Sequence, residues 1–261
     1  VELLVMISSQ SAISIENARL YASLETRVNE RTKELDESLK QQYTLNENLM
    51  KITGELNQSL QKIKKDLVLA KKIQDSILPK NLETITNLTI STFYSPMDEV
   101  GGDFFDITKV NERKIRIFLA DATGHGIQGA LITMAIKSEY EGLKNNVSEP
   151  KELLGILNNG FLKKFQSINA FFTCILLDID PVSEKLKFAA AGHPPQILLR
   201  NGILEKLTST GKIIGIREDV QYKQIEFDFK KEDKLFLYSD GIFEEFNYVR
   251  DKFGEEKLYG I

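Results

Sequence analysis

Three aspartates that follow apolar runs and lie near glycines are the residues of this sequence best suited to chemistry. Asp103 follows Val-Gly-Gly, Asp121 begins Asp-Ala-Thr-Gly-His-Gly, and Asp240 lies in Tyr-Ser-Asp-Gly. Carboxylate oxygens are the ligands that Mg²⁺ and Mn²⁺ prefer in proteins. The chain has one cysteine and two histidines, which do not form the cluster that zinc requires. The pattern therefore indicates a site for a hard divalent cation.

The spacing of the first two aspartates predicts that they lie at the same end of a sheet. Asp103 and Asp121 are 18 positions apart (121 − 103 = 18), enough for two strands and a turn, and residues 115–119 alternate in the manner of a strand. The glycine-rich turn after Asp121 opens a helix, whose N-terminus beside a cation would favour phosphate. Each aspartate taken alone could instead form a turn or cap a helix, and spacing does not show that Asp240 joins them.

Past Pro79 the sequence predicts short strands separated by turns, with two helices together among them. This order favours an antiparallel α+β fold. The strands are expected at 88–94, 115–120, 171–178, 185–190, 196–200, 221–229 and 234–238, and the helices at 127–144 and 151–165.

Five short motifs resemble, in order, those of bacterial PPM-type serine/threonine phosphatases of the sporulation protein E and Rsb stress-phosphatase group. The resemblance covers roughly residues 73–261, and residues 70–79 are similar to the helix that leads into such domains. The motifs are Val100-Gly-Gly-Asp103, Asp121-Ala-Thr-Gly-His-Gly126, Ala191-Gly-His-Pro-Pro195, Tyr238-Ser-Asp-Gly241 and Phe253-Gly-Glu-Glu256.

The resemblance implies an α-β-β-α sandwich with a centre of two metal ions, Mn²⁺ or Mg²⁺, that activates water for attack on phosphoserine or phosphothreonine. It implies that Asp121 bridges the ions with the Ala122 carbonyl beside it, and that Asp103 and Asp240 supply further oxygens. These three aspartates are the expected catalytic residues. Asp106 is a weaker candidate in the shell around them. The implied substrate is a phosphorylated STAS-type (anti-anti-sigma) protein.

Neither of the two histidines is expected to take part in the chemistry at the metal ions. Animal-type relatives carry a histidine two positions after the bridging aspartate, whereas His125 comes four positions after Asp121, which argues against His125 as the acid for the leaving group. Those relatives also have an upstream arginine where this chain has none before Asp103. His193 lies in a turn between apolar strands, and we expect it to order that loop.

The carboxyl end of the expected phosphatase domain, residues 80–261, leaves one ligand question open. Relatives often place a further acidic or amide ligand after the Ser-Asp-Gly turn, and Asn247 and Asp251 are the candidates. Relatives usually continue with another helix after the Phe-Gly-Glu-Glu motif, so this domain is expected to be either trimmed or disordered at that end.

The first eighty residues predict one long helix, because they contain almost no glycine or proline. Residues 24–79 carry a heptad repeat with one apolar seam and one half-polar seam, which favours a two-stranded coiled coil and a homodimer. A solvated helical spacer, or a helix packed on its own catalytic domain, is the alternative. Residues 1–23 resemble the last helix of a GAF sensor domain. The expected design is therefore sensor, coiled coil, phosphatase.

Composition sets the remaining limits. The 261 residues are 42% hydrophobic with a formal net charge of −4, and they lack a basic patch, so nucleic acid is not an expected partner. No apolar run reaches the roughly 20 residues that cross a bilayer, so no membrane contact is expected in this fragment. Cys174 lies in an apolar run and is expected to be a buried strand residue. These features fit a reducing, cytoplasmic location.

Two other functions fit parts of the sequence. Gly101-Gly-Asp-Phe-Phe105 resembles the signature of diguanylate cyclases, but the second metal-binding acid of that family would fall near Leu60, in the coiled coil. A phosphatase fold could also persist as a catalytically silent scaffold, although all three principal aspartates are present.

Overall fold

The computed structural model describes residues 2–80, 82 and 88–259. The chain divides into two compact units, residues 1–64 and 65–261. One helix, α1, runs from Glu2 to Ile77, so the predicted long helix is confirmed, and it ends just before Pro79. The large apolar side chains of its heptad seam are solvent-exposed, among them Leu49 and Leu56 at 52% and 57%. No described helix has the length and apolar composition that spanning a membrane requires.

In its described residues, the second unit contains two antiparallel sheets and three further α-helices. The larger sheet has the strand order β1-β2-β3-β4-β7, and the smaller one has the order β6-β5-β8. The strands are β1 Asp103–Asn111, β2 Lys114–Ala122, β3 Phe172–Asp180, β4 Lys185–Ala191, β5 Gln196–Arg200, β6 Ile203–Leu207, β7 Ile225–Asp228 and β8 Lys234–Phe236. The helices are α2 Gly126–Glu141, α3 Pro150–Phe165 and α4 Glu255–Tyr259.

Three apolar clusters define the layers. The first joins α2 and α3 to one face of the larger sheet, with Ile77 and Leu78 packed against it. The second lies between the two sheets. The third covers the outer face of the smaller sheet, where Leu258 and Tyr259 of α4 pack near Tyr238. The expected α-β-β-α sandwich is confirmed, with a very short helix as its fourth layer.

β2 is an inner strand of the larger sheet that brings Asp121 to the site, and both of its faces are covered. Ile115 and Phe118 are both buried, although they point to opposite faces. Arg116 is fully buried as well and forms a bidentate pair with Asp178 on β3, at 2.6 and 2.7 Å. Its guanidinium also donates to the carbonyls of Lys144, Val147 and Ser148 in the connection between α2 and α3.

The observed strands differ from the predicted ones in several places. Residues 88–94 form no strand: Leu88 packs against the core between the sheets, but Phe93 is 92% exposed. The strand expected at 221–229 is shorter, and β6 was not predicted. The sequence signal for β6 was the Asn201-Gly202 pair, which is typical of a two-residue hairpin turn. Both residues have positive φ, 50° and 78°, as such a turn requires.

Cys174 lies on β3 and is fully buried, as predicted. Burial raises the pKa of its thiol well above the usual value. The side chain is therefore part of the core and not a nucleophile.

Candidate metal centre

The first two strands of the larger sheet place Asp103 and Asp121 side by side. β1 pairs with β2 in antiparallel register, and Asp103 lies directly opposite Asp121. The N–H of Ala122 donates to the carbonyl of Gly102 at 3.0 Å and extends this pairing beyond the strand. The structure thus brings these two carboxylates together at one end of the sheet, as the spacing predicts.

Asp240 reaches the same place from the smaller sheet. It opens a 3-10 turn, Asp240–Ile242, shortly after β8. Ser239 Oγ donates to Asp103 Oδ2 at 2.8 Å, which ties this turn to β1. The carboxyl groups of Asp240 and Asp121 share a hydrogen bond. The three aspartates therefore meet where the ends of the two sheets come together.

Negative charge accumulates in this cluster. Burial, followed by the charges of Asp103, Asp240 and Glu244, raises the pKa of Asp121 to about 8. Burial also raises the pKa values of Asp103 and Asp240 above the usual carboxyl value. Carboxylates that raise one another's pKa are a donor set that a divalent cation would stabilise.

Asp121 interacts with both Asp103 and Asp240, but the three carboxyl groups are not spaced around a common point. Among the described residues, no group of three or more His, Cys, Asp and Glu side chains is spaced as a metal cluster. Because the pKa of Asp121 is raised to about 8, its carboxyl group holds a proton at pH 7 that a cation must displace. The chemistry of the donors fits a hard cation, and its binding would release protons.

Two glycines allow the backbone to approach closely around the aspartates. A Cβ atom on Gly102 would lie 2.9 Å from both the Ala122 and the Gly124 carbonyl oxygens. A Cβ atom on Gly129, in the first turns of α2, would lie 2.6 Å from the Gly124 oxygen and 2.9 Å from the Gly102 Cα. The start of α2 therefore packs directly on both aspartate loops, and side chains at these positions would separate them.

The two histidines occupy opposite environments. The His125 side chain is 88% exposed and its Nδ1 lies 3.2 Å from Asp98 Oδ2. His193 is buried, its Nδ1 lies 2.9 Å from Thr173 Oγ1, and Thr173 is opposite Asp121 on β3. Burial lowers the pKa of His193 to about 4, so its imidazole is neutral at pH 7. These contacts favour the ordering role predicted for His193.

Asp106 lies away from the other carboxylates. It is one residue out of phase with Asp103 and Phe105 along β1, so its side chain points to the helical face of the sheet. There it accepts hydrogen bonds from Thr108 Oγ1 at 2.6 Å and from Lys144 Nζ at 3.3 Å. The interpretation of Asp106 as a neighbour of the metal ligands is wrong.

The loop after Asp240 offers a different acid from those expected. Asn247 Oδ1 accepts the N–H groups of Val249 and Asp251, at 3.0 and 2.9 Å, so this amide shapes its own turn. Asp251 is exposed. The negative charge of Glu244 contributes to the raised pKa values of Asp121 and Asp240. Glu244 comes four residues after Asp240, so a turn returns it to the aspartates. This spacing was the sequence signal for Glu244.

Comparison with known proteins decides the family. Residues 111–260 match the family described as stage II sporulation protein E. This range is more than half of the chain and contains Asp121 and Asp240. The chain belongs to the stage II sporulation protein E family.

Relatives place the domain among serine phosphatases of PP2C type. The chain is 29% identical over 185 residues to the phosphoserine phosphatase RsbP of Bacillus subtilis, covering 69% of this chain and 45% of that protein. It is 27% identical over 186 residues to RsbU of the same organism, also named a phosphoserine phosphatase, covering 70% and 55%. The chain thus spans about half the length of these two curated relatives.

A solved structure supports the fold. The PP2C domain of SiaA from Pseudomonas aeruginosa superposes with a TM-score of 0.65 and 24% identity, covering 77% of this chain and 82% of that one. The chain therefore carries a PPM-type serine/threonine phosphatase domain, the PP2C fold, of the Rsb branch.

Proposed function

We propose that this chain is a metal-dependent protein phosphatase that removes phosphate from phosphoserine or phosphothreonine of a regulatory protein. The observation that carries the proposal is the meeting of Asp103, Asp121 and Asp240, from three separate chain segments and two sheets. Family membership favours this activity over that of a diguanylate cyclase.

The three aspartates and the Ala122 carbonyl would hold two ions, Mn²⁺ or Mg²⁺. Bound ions of this kind activate water near neutral pH and stabilise the attacking and leaving oxygens of a phosphoryl group. Asp121 must lose its proton before it can act as a ligand. Asp121 would be the central ligand, because it lies beside both Asp103 and Asp240.

The start of α2 would help to bind the substrate phosphate. Gly129 packs on the Gly102 and Gly124 loops, so the first turn of this 16-residue helix lies at the aspartates. The free N–H groups of a helix N-terminus favour phosphate. His125, which precedes the helix, is paired with Asp98 in an exposed position and is not needed as an acid.

The proposed substrate is a phosphorylated STAS-type protein, as the motif resemblance implies. We further propose that a sensor preceding residue 24 controls the domain through a parallel coiled coil formed by α1 of two protomers. The exposed apolar seam of α1 supports this dimer, since a two-stranded coiled coil buries such a seam.

The decisive experiment measures Mn²⁺-dependent release of phosphate from a phosphoserine protein by the wild type, Asp121→Asn and Asp36→Asn. We expect Asp121→Asn to lose both activity and Mn²⁺ binding, and Asp36→Asn, which changes an exposed aspartate of α1, to keep both. A wild type that binds Mn²⁺ but releases no phosphate would favour the silent scaffold. Unchanged activity in Asp121→Asn would refute the proposed metal site.

A further inference from the structure

Two buried glutamines make the same unusual contact in two different parts of the second unit. Gln196 Nε2 donates to the Tyr238 carbonyl at 3.0 Å, and Gln196 Oε1 accepts the Tyr238 N–H at 2.6 Å. Gln74 Nε2 donates to the Gly101 carbonyl at 2.7 Å, and Gln74 Oε1 accepts the Gly101 N–H at 3.0 Å. Each side-chain amide thus pairs with both backbone groups of a single residue, as a neighbouring strand would.

The two paired backbone residues hold equivalent positions relative to the site. Gly101 is two residues before Asp103 and Tyr238 is two residues before Asp240 (103 − 101 = 2; 240 − 238 = 2). An extended chain advances about 3.3 Å per residue, so each amide fixes the backbone within about 7 Å of an aspartate. Asp121 needs no such bond, because β1 and β3 flank it on both sides.

Both glutamines are anchored in the core. Gln196 is fully buried and Gln74 is 4% exposed. Gln74 Nε2 also lies 3.3 Å from Thr133 Oγ1 on α2, and Gln196 Nε2 donates to the Pro194 carbonyl at 2.9 Å. A buried amide with this many partners holds one orientation, so it can transmit that orientation to the backbone it binds.

We infer that Gln74 and Gln196 are positioning residues for the metal centre. Each sets the path of the chain that delivers one outer carboxylate, Asp103 or Asp240, to Asp121. The Ser239 to Asp103 hydrogen bond then joins the two positioned segments. Loss of either amide leaves a buried N–H and carbonyl unpaired next to a ligand, so the segment relaxes and the cation is bound less tightly. This inference rests on the metal centre of the proposed function.

The chain supplies a matched control in Asn158. This residue is also fully buried, its Nδ2 donates to the Arg217 carbonyl at 2.8 Å, and its Oδ1 accepts the Gly215 N–H at 3.0 Å. Both groups of its amide therefore bind a loop backbone, at two residues rather than one, but that loop leads to no site aspartate. Its replacement removes equivalent hydrogen bonds without altering a ligand.

The test compares Mn²⁺ affinity by isothermal titration calorimetry for the wild type, Gln74→Met, Gln196→Met and Asn158→Leu. We expect both methionine variants to bind Mn²⁺ about 10- to 100-fold more weakly, and Asn158→Leu to remain within about twofold. Phosphate release by the methionine variants should recover at saturating Mn²⁺. Unchanged affinity in both variants, or an equal loss in Asn158→Leu, would overturn the inference.

Gln74→Glu and Gln196→Glu serve if a methionine variant does not fold. They keep the length and the acceptor for the N–H but place a carboxylate against the backbone carbonyl, so a loss of at least tenfold is expected and an unchanged affinity refutes the inference. A wild type that binds no Mn²⁺ overturns it as well. A wild type that binds Mn²⁺ without phosphatase activity refutes only the proposed function, because affinity alone tests the glutamines.

Discussion

Asp121 is the residue whose protonation most strongly affects the charge of the site. Its pKa is about 8 because it is buried and faces other carboxylates. In the folded, metal-free protein it holds a proton that the unfolded chain, with an ordinary carboxyl pKa near 3.8, releases. Between pH 3.8 and about 8, folding therefore takes up a proton. The free energy of unfolding must fall as pH rises through this range.

We expect the metal-free protein to lose stability between pH 6.5 and 8 and Mn²⁺ to reverse this loss. The range starts at pH 6.5 so that it leaves out the titration of His193, whose pKa is lowered from 6.5 to about 4. Between those two values His193 makes stability rise with pH, which is opposite to the effect of Asp121. Thermal unfolding in EDTA at several pH values measures the effect. The slope should flatten in Asp121→Asn, and an identical slope there would assign it to other groups.

The same proton makes cation binding depend on pH. Because the cation displaces a proton from Asp121, Mn²⁺ affinity should weaken by about tenfold per pH unit below pH 8 if one proton is released. Calorimetry in two buffers of different ionisation enthalpy counts the released protons. Affinity independent of pH from 6.5 to 8 would contradict a proton held by Asp121.

Gly102 tests the close approach of the two aspartate loops. Gly102→Ala places a Cβ atom 2.9 Å from two carbonyl oxygens, and we expect it to destabilise the fold by about 1–3 kcal/mol and weaken Mn²⁺ binding. Gly155→Ala on α3 is the control, since no atom lies within 4 Å of its Cβ. That change should stabilise the protein by about 1 kcal/mol. Urea unfolding compares the two, and equal effects would exclude the steric argument.

At the scale of elements, the Arg116 and Asp178 pair fixes β2 against β3 and the connection between the helices. Arg116→Met leaves Asp178 charged, buried and without its bidentate partner, so we expect a loss of about 3–5 kcal/mol in the free energy of unfolding. Arg113→Met is the control, because Arg113 is 60% exposed and pairs with Asp180 at the surface. A loss as small as that of the control would show that the buried pair is dispensable.

The elements also show what the sequence could predict. Strand alternation and helix length placed α1, α2, α3 and most strands, and the spacing of Asp103 and Asp121 predicted their pairing. The place of Asp240 depended on how two sheets stack, which no local pattern records. The roles of Gln74, Gln196 and Glu244 depended in the same way on contacts between distant segments. The strand predicted at residues 88–94 did not form, because an apolar segment becomes a strand only where a partner strand is available to pair with it.

At the scale of the whole molecule, α1 should join two chains. Leu49→Glu combined with Leu56→Glu places charges in the apolar seam, and we expect it to convert a dimer into a monomer in sedimentation experiments. Asn48→Glu combined with Gln58→Glu adds the same charges outside the seam and should remain dimeric. A wild type that stays monomeric at high concentration would remove the basis for the coiled coil.

Because Cys174 is the only cysteine of these 261 residues and is buried within β3, this chain offers no reactive thiol to solvent. A cysteine introduced on α1, such as Gln58→Cys, would therefore be the sole site of attachment for a spin label or fluorophore. Each chain would then carry one reporter without removal of a native residue. Distances between reporters of two chains could be followed while a cation binds, in a protein whose core is otherwise unaltered.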